Sequence, residues 1–236
     1  GAIGFLPLYR QVKDRLTQRL LSRAWPPGQL LPSEIELAAE LGVSQGTVRK
    51  ALEEMTAEHL LVRHQGKGTF VAGHDDARVL FQFFRLTADD GERVLPESKV
   101  LGVVVGIANA ADRRALSLPA RAQIIRIRRV RLLRGQPVIA ETITAPRALF
   151  PGLEREDLPN NIYSLYADRF GVTIARAQEK LKAVALPDPD ADVLGVAPGT
   201  PALQIDRLAI ALDARPVEWR ISLCLTEQLH YLSNLT

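Results

Sequence analysis

Sulfur and histidine are scarce in this sequence. Its 236 residues include one cysteine, one methionine and four histidines. A single cysteine cannot form an internal disulfide, and Cys224 lies in an apolar run, which favours a small core residue over a catalytic thiol. The histidines, which belong to no metal-ligand spacing or nucleophile–base motif, are His59, His64, His74 and His230. The sequence therefore predicts no metal site and no cofactor, and it favours a protein that is not an enzyme.

Long apolar runs and a strong charge of one sign are also missing. The longest apolar run, residues 100–111, is too short to span a membrane and is rich in β-branched residues, so it predicts a buried strand. The first residues lack the basic start and apolar core of a signal peptide, and we expect a cytoplasmic location. The formal net charge is only +3. Composition alone therefore does not indicate nucleic-acid binding, and the positions of the charges must decide.

The segment from Leu31 to Val71 has the pattern of a winged helix-turn-helix. Ser33 begins a Ser-x-x-Glu capping box, which starts a helix. Gly42 ends that helix by supplying a left-handed conformation, and Ser44 caps a second helix that begins at Gln45. A glycine-tipped hairpin follows. Helix pairs and Gly-Lys-Gly turns are each common, but this ordered combination is specific.

The second helix has the features of a DNA-recognition helix. Val48, Leu52 and Met55 recur at helical spacing and should face the core, which leaves the N-terminal end of the helix exposed. Free amides there favour a phosphate, and an arginine can reach the O6/N7 edge of guanine. Glycines in the hairpin allow close approach to the DNA backbone. The predicted DNA-contacting residues are Ser33, Ser44, Gln45, Thr47, Arg49, Lys50, Gly66, Lys67 and Gly68.

Four stretches in this region carry a family resemblance. PLYRQV, PPGQLLPSE, LAAELGVSQGTVRKAL and HQGKGTFVA resemble the DNA-binding domain of the GntR family of bacterial transcription regulators, over about residues 6–72. The family usually has arginine at the position of Ile35, and often at that of Gln45, and both positions contact DNA in relatives. The resemblance thus implies DNA binding, with an operator sequence that cannot be copied from the family.

The remainder of the chain predicts an α+β domain with an antiparallel sheet, because most strands are joined by hairpins. We expect domain boundaries at 1–73, 74–82 and 83–236 for the winged helix-turn-helix, a hinge-like linker and the second domain. The predicted elements of the second domain are strands at 100–107, 124–144 (with a turn at Gly135), 172–186 and 202–225 (with a turn at 213–216), and helices at 112–116, 162–170 and 190–194.

The second domain carries a resemblance of its own. GQPVIAE, LFPGL, IYSLYADRFG, LGVAPGTPAL and ARPVEW are similar to the UTRA effector-binding domain of HutC-like GntR regulators, over about residues 83–232. The resemblance implies a chorismate-lyase-like fold, with a small-ligand pocket on a curved antiparallel sheet. It also implies homodimers formed through this domain.

An arginine-rich strand is the candidate effector site. Period-two geometry places Arg129 and Arg131 on one face and Arg126 and Arg128 on the other. Two guanidiniums on one face can hold a carboxylate or a phosphate, although arginines on such a strand can also be solvated or paired with surface acids. By resemblance, the effector contacts are Arg129, Arg131, Glu141, Asn161 and Glu218. An anionic effector is favoured. Whether it is a phosphosugar stays open, because sugar-phosphate-binding members often have serine where this chain has Asn161.

The sequence accordingly predicts a homodimeric transcription regulator, a repressor that binds a palindromic operator in double-stranded DNA and responds to a small anionic metabolite. Two alternatives stay open. The implied fold of the second domain also occurs in a lyase, which would make the protein an enzyme. The second domain could instead only dimerise, which would make the protein a constitutive DNA-binding dimer.

Overall fold

The computed structural model describes residues 7–22, 24–58, 60–72, 85–89 and 96–233. The chain divides into two compact units, Gly1–His74 and Asp75–Thr236. Residues 74–82, the predicted linker, lie outside the described residues.

In its described residues, the first unit contains three helices and a two-stranded wing, in the order α1 (Leu8–Leu21), α2 (Glu34–Leu41), α3 (Gln45–Ala57), β1 (Leu61–His64) and β2 (Gly68–Val71). The predicted helix starts and the predicted stop are confirmed. Ser33 and Glu36 form the capping box of α2, Gly42 ends α2 in a left-handed conformation, and Ser44 caps α3. The core of the unit includes the buried side chains of α1 and α3, which are Val12, Leu16, Val48, Leu52 and Met55, together with Leu37 of α2.

The wing is an antiparallel hairpin in which Leu61 pairs with Val71 and His64 with Gly68. Two of its glycines have positive φ, 74° at Gly66 and 110° at Gly68. A Cβ atom on Gly68 would lie 2.8 Å from Cδ1 of Leu30, whereas one on Gly66 would meet nothing within 4 Å. The turn at Gly68 therefore favours glycine through its backbone angle, and the end of the flexible Leu30 side chain would have to move aside for a Cβ atom.

The described elements of the second unit are β3 (Leu86–Ala88), β4 (Glu97–Ile107), α4 (Ala110–Leu116), β5 (Gln123–Leu133), β6 (Gln136–Pro146), α5 (Ile162–Phe170), β7 (Ile174–Ala185), α6 (Asp188–Leu194), β8 (Pro201–Ala211), β9 (Pro216–Cys224) and β10 (Leu229–Tyr231). Six strands form a sheet with the order β4-β5-β6-β9-β8-β7, in which all neighbours are antiparallel. A separate two-stranded sheet pairs β3 with β10, two strands that the sequence pattern did not predict. The α+β architecture is the predicted one, and the elements that were predicted begin and end within three residues of the observed bounds.

Helices cover both faces of the large sheet. On one face, α5 packs through Tyr166 against strand residues that include Ile127 and Ile143. On the opposite face, α6 packs through Leu194 against strand residues that include Val130. Beyond α5, on the first face, β3 and β10 cover a smaller apolar cluster of Leu86, Ile139, Ile205 and Cys224. Cys224 is buried, and burial raises the pKa of its thiol, as expected of a core residue.

The prediction of a buried strand at residues 100–111 was wrong. The strand is β4, at one edge of the sheet, and residues 110 and 111 belong to α4. Val104 and Ile107 are each 59% exposed, and Val100, Leu101 and Val105 are also exposed. The reason is topological: within the described residues, β4 pairs only with β5. An apolar strand sequence indicates that its side chains favour burial, but it does not indicate which part of the structure would bury them.

None of the helices in the described part of the chain is long and apolar enough to cross a membrane.

Candidate DNA-contacting surface and candidate ligand site

The N-terminal end of α3 is exposed, as its apolar pattern predicts. The side chains of Gln45, Arg49 and Lys50 are exposed, and that of Thr47 is half-buried. Ser44 accepts a hydrogen bond from the Thr47 amide at 3.2 Å, and the two hydroxyl oxygens are 2.8 Å apart. The Nζ atom of Lys50 lies 4.2 Å from the centre of the Tyr9 ring. The α1 helix therefore positions Lys50, while the cap of α3 positions Thr47.

The side chain of Ser33 caps the N-terminus of α2. Its hydroxyl and its backbone amide both donate to the Glu36 carboxylate, at 2.8 Å and 2.7 Å. These bonds lower the pKa of Glu36, since they favour the charged form.

The wing and the recognition helix are joined by a residue that the sequence did not single out. One carboxylate oxygen of Glu34 accepts from Arg49 Nε at 2.9 Å and from Gln45 Nε2 at 3.3 Å. The other oxygen accepts from a terminal nitrogen of Arg63, in β1, at 2.9 Å. In sequence, Glu34 is recognisable only as an acid in the first turn of a helix, a common stabilising feature. The exposed wing tip is formed by Gly66, Lys67 and Gly68.

On the face of the large sheet that carries α5, four of the predicted effector residues form a buried cluster. The sequence predicted that Arg129 and Arg131 share a face, and this is confirmed: both are 2% exposed, beside Glu141 at 5%. Arg129 Nε donates to Glu141 at 2.5 Å, and a terminal nitrogen of Arg131 lies 3.8 Å from the same carboxylate. Glu218 is fully buried and accepts hydrogen bonds from the hydroxyls of Tyr163 and Tyr166 at 3.0 Å and 2.9 Å.

On the opposite face, Arg126 and Arg128 each have an acidic partner. Arg126 donates to both carboxylate oxygens of Asp112, at 2.8 Å, and Arg128 donates to Asp190 at 3.1 Å. All four arginines of this strand thus have an acidic partner, but only Arg129 and Arg131 are themselves buried.

Sequence reasoning missed two arginines of the buried cluster, Arg207 and Arg220, and the partners of Arg207. Arg220 binds Glu218 through two hydrogen bonds of 3.0 Å and 3.1 Å and lies 3.7 Å from Glu141. Arg207 donates to Glu179 at 2.6 Å, and the Tyr231 hydroxyl donates to the same carboxylate. The available signal was period-two alternation, which places Arg207 among inward-facing apolar residues of β8 and Arg220 between Glu218 and Ser222 on β9.

Arginines outnumber glutamates among the described residues of the buried cluster. The arginines are Arg129, Arg131, Arg207 and Arg220, and the glutamates are Glu141, Glu179 and Glu218. Burial by itself would raise the pKa of Glu141, but the guanidiniums of Arg129, Arg220 and Arg131 hold that pKa well below its usual range. Burial lowers the pKa of Arg131 to about 9, so the side chain is still charged at neutral pH.

Asn161 lies beside this cluster as the N-cap of α5. Its side-chain oxygen accepts from the Tyr163 amide at 3.2 Å, and its side-chain nitrogen donates to Ser164 at 2.6 Å. The preceding Asn160 accepts from a terminal nitrogen of Arg131 at 3.1 Å. The start of α5 thus lies next to the arginines, and both features favour an anion.

Comparisons with known proteins agree with this two-part organisation. Residues 8–71 match the model for bacterial regulatory proteins of the gntR family, and residues 92–230 match the model for the UTRA domain. The chain is 30% identical over 215 residues to the HTH-type transcriptional regulator SmoD of Agrobacterium fabrum, covering 91% of this chain and 90% of that protein. It is 28% identical over 221 residues to the mannosyl-D-glycerate transport/metabolism system repressor MngR of Escherichia coli, covering 92% and 91%.

A solved structure supports the fold of the second unit. The ligand-binding domain of a GntR-family protein from Bordetella bronchiseptica superposes with a TM-score of 0.61 at 36% identity, over 65% of this chain and 98% of that one.

Proposed function

Since the chain belongs to the gntR family of bacterial regulatory proteins and carries a UTRA domain, we propose that it is a homodimeric transcriptional repressor of a palindromic operator, controlled by a small anionic metabolite. The observation that carries the anionic effector is the grouping of four buried arginines on one face of the sheet, two of which contact Asn160 at the start of α5. The relatives support the repressor role, because MngR is a repressor.

The proposed DNA contacts are those of the exposed end of α3 and of the wing tip, together with the capping serines. Arginine and lysine here supply phosphate contacts, and Arg49 also reaches a base edge. We would titrate labelled duplex DNA from upstream of the protein's own gene and follow fluorescence anisotropy at several salt concentrations. Arg49→Ala should weaken binding and reduce the salt dependence. Arg169→Ala serves as the control, because Arg169 is an exposed, ion-paired arginine of the other unit.

The proposed effector contacts are Arg129, Arg131, Glu141, Asn161 and Glu218. The two arginines would bind the anionic group, and the two glutamates would bind hydroxyls or amines. A ligand can shift DNA affinity only if it binds two arrangements of the dimer with different affinities. The anisotropy assay would therefore be repeated with phosphosugars, sugar carboxylates such as mannosyl-D-glycerate, and their neutral parent sugars. Release of the operator by an anionic compound alone would support the proposal; DNA affinity that ignores the whole panel would favour the constitutive dimer.

The proposed dimer contact is the outer edge of β4. That edge exposes apolar side chains, whereas β7, at the other edge of the sheet, exposes Lys180 and Lys182 beside Leu181. Lysines on an edge strand discourage pairing, and an exposed apolar edge promotes it. We expect Val104→Lys to shift the protein from dimer to monomer in sedimentation velocity. Leu181→Lys, the matched change on the opposite edge, should leave the dimer intact, and equal effects of the two changes would contradict the assignment.

A further inference from the structure

Glu34 contacts side chains from two other elements of the first unit. It lies in the first turn of α2, and its carboxylate accepts from Arg49 and Gln45 of α3 and from Arg63 of β1. The Glu34 side chain is 21% exposed, compared with 53% for Arg49. The half-buried carboxylate of Glu34 thus contacts the exposed side chain of Arg49 on the recognition helix.

The atoms involved determine what Arg49 can still bind. Its bond to Glu34 is made through Nε, and in the described part of the chain its two terminal nitrogens make no hydrogen bond. The guanidinium is planar, so the hydrogen bond from Nε restricts the orientation of the plane in which the terminal N–H groups lie. Guanine offers two acceptors, O6 and N7, side by side in the major groove. Arg49 is therefore oriented so that its terminal nitrogens could donate to both acceptors.

A simple surface ion pair would have a different consequence for DNA binding. Such a pair contributes little to stability, because solvent screens both charges. A carboxylate beside DNA also repels the phosphates, so its removal alone would strengthen binding to every sequence. If Glu34 only forms a surface ion pair, its removal should strengthen binding to a preferred sequence. If Glu34 orients Arg49, its removal should weaken that binding.

We propose that Glu34 is a specificity-determining positioning residue, which orients Arg49 to read a guanine while Arg63 holds the second oxygen of the same carboxylate. This inference rests on the proposed DNA-binding function. It assigns sequence preference to an acidic residue that makes no base contact of its own.

The test uses a randomised duplex library. The full-length wild-type protein would select its preferred sequence, and anisotropy would then measure affinity for that duplex, for duplexes with single guanine-to-adenine changes, and for an unrelated duplex. Glu34→Gln keeps the shape of the side chain and removes its charge. Glu40→Gln is the matched control, because Glu40 forms an exposed ion pair with Arg19.

At one guanine of each half-site, Glu34→Gln should reduce the preference over adenine roughly tenfold, within the range of one bidentate arginine–guanine contact. Its affinity for unrelated DNA should stay equal or rise, and Glu40→Gln should leave the preference unchanged. If Glu34→Gln strengthens binding to all duplexes by the same factor, the positioning role is overturned and the DNA-binding function stands. If the wild type selects no sequence, both fall.

Thermal unfolding of each variant would show whether the first unit is folded. Should Glu34→Gln unfold early, Glu34→Asp provides the second variant, since it keeps the negative charge at the start of α2 and withdraws the carboxylate by one methylene. The same loss of guanine preference is expected, and an unchanged preference would count against the positioning role.

Discussion

Replacing Glu141 by glutamine should be the most destabilising of the conservative changes in the buried cluster. Its carboxylate lies 2.5 Å from Arg129 Nε, and terminal nitrogens of Arg131 and Arg220 lie 3.8 Å and 3.7 Å away. The Ser222 hydroxyl donates to it at 3.4 Å. Glutamine preserves the shape but removes one negative charge from a set of buried side chains in which the described arginines outnumber the glutamates.

The expected magnitude follows from this burial. Removing one partner from a buried ion pair costs about 3–5 kcal/mol, because the remaining charges are left uncompensated. For a unit of this size each kcal/mol lowers the melting temperature by about 2–4 °C, so we expect a fall of about 6–20 °C. Glu156→Gln is the control: Glu156 pairs with Arg169, which is 67% exposed, and the cost should be about 1 kcal/mol or less.

The pH dependence of this difference has a definite sign. The pKa of Glu141 is lower in the folded protein than its ordinary value of 4.5. The stability it contributes is therefore fully present above pH 4.5 and is lost as the pH falls below that value, through the folded pKa. Calorimetry of the wild type and of Glu141→Gln should show a constant difference from pH 5 to 8 and a smaller difference in more acidic buffer.

Inorganic phosphate offers a second measurement on the same variant. An anion that binds the folded cluster stabilises it by mass action, and Glu141→Gln presents more positive charge to it. Phosphate should therefore raise the melting temperature of the variant more than that of the wild type, with chloride at equal ionic strength as the control. If Glu141→Gln has the same melting temperature as the wild type, or if phosphate does not raise the melting temperature of the variant, the charge balance described for the cluster is refuted.

Three further changes test other parts of the molecule. Gly68→Ala should lower the unfolding free energy of the first unit by about 1–3 kcal/mol, which is more than Gly66→Ala should. Both positions have a φ that is unfavourable for alanine, but only at Gly68 does the added Cβ atom also make a close contact. Chemical denaturation of both variants measures the two costs, and equal costs would contradict the prediction. Tyr166→Phe removes a donor to the buried Glu218 carboxylate and should lower the unfolding free energy by about 1.5–3 kcal/mol, whereas a change below 0.5 kcal/mol in calorimetry would show that the bond contributes little. Asn161→Asp should keep the helix cap but place a negative charge beside the arginines, so sulfate affinity in titration calorimetry should fall while the melting temperature holds; unchanged affinity would place the anion elsewhere.

Local patterns predicted the first unit well. The caps at Ser33 and Ser44 and the left-handed Gly42 depend on hydrogen bonds between residues a few positions apart, which a sequence displays directly. Period-two alternation likewise placed Arg129 and Arg131 on one face. The contact between Glu34 and Arg63 escaped this reasoning, because the residues are 29 positions apart and meet only when the wing folds beside α2.

The sequence by itself determined the order of most helices and strands, their ends, the face on which each strand residue lies and the strand pairs joined by a short turn, since these depend on short-range geometry. The tertiary structure alone decided which strands are neighbours across longer connections. That order brings Ser222 of β9 to Glu141 of β6, 81 positions away, and so assembles the buried cluster. It also leaves β4 at an edge, with its apolar side chains exposed. Both outcomes rest on long-range pairing, which alternation within a single strand does not encode.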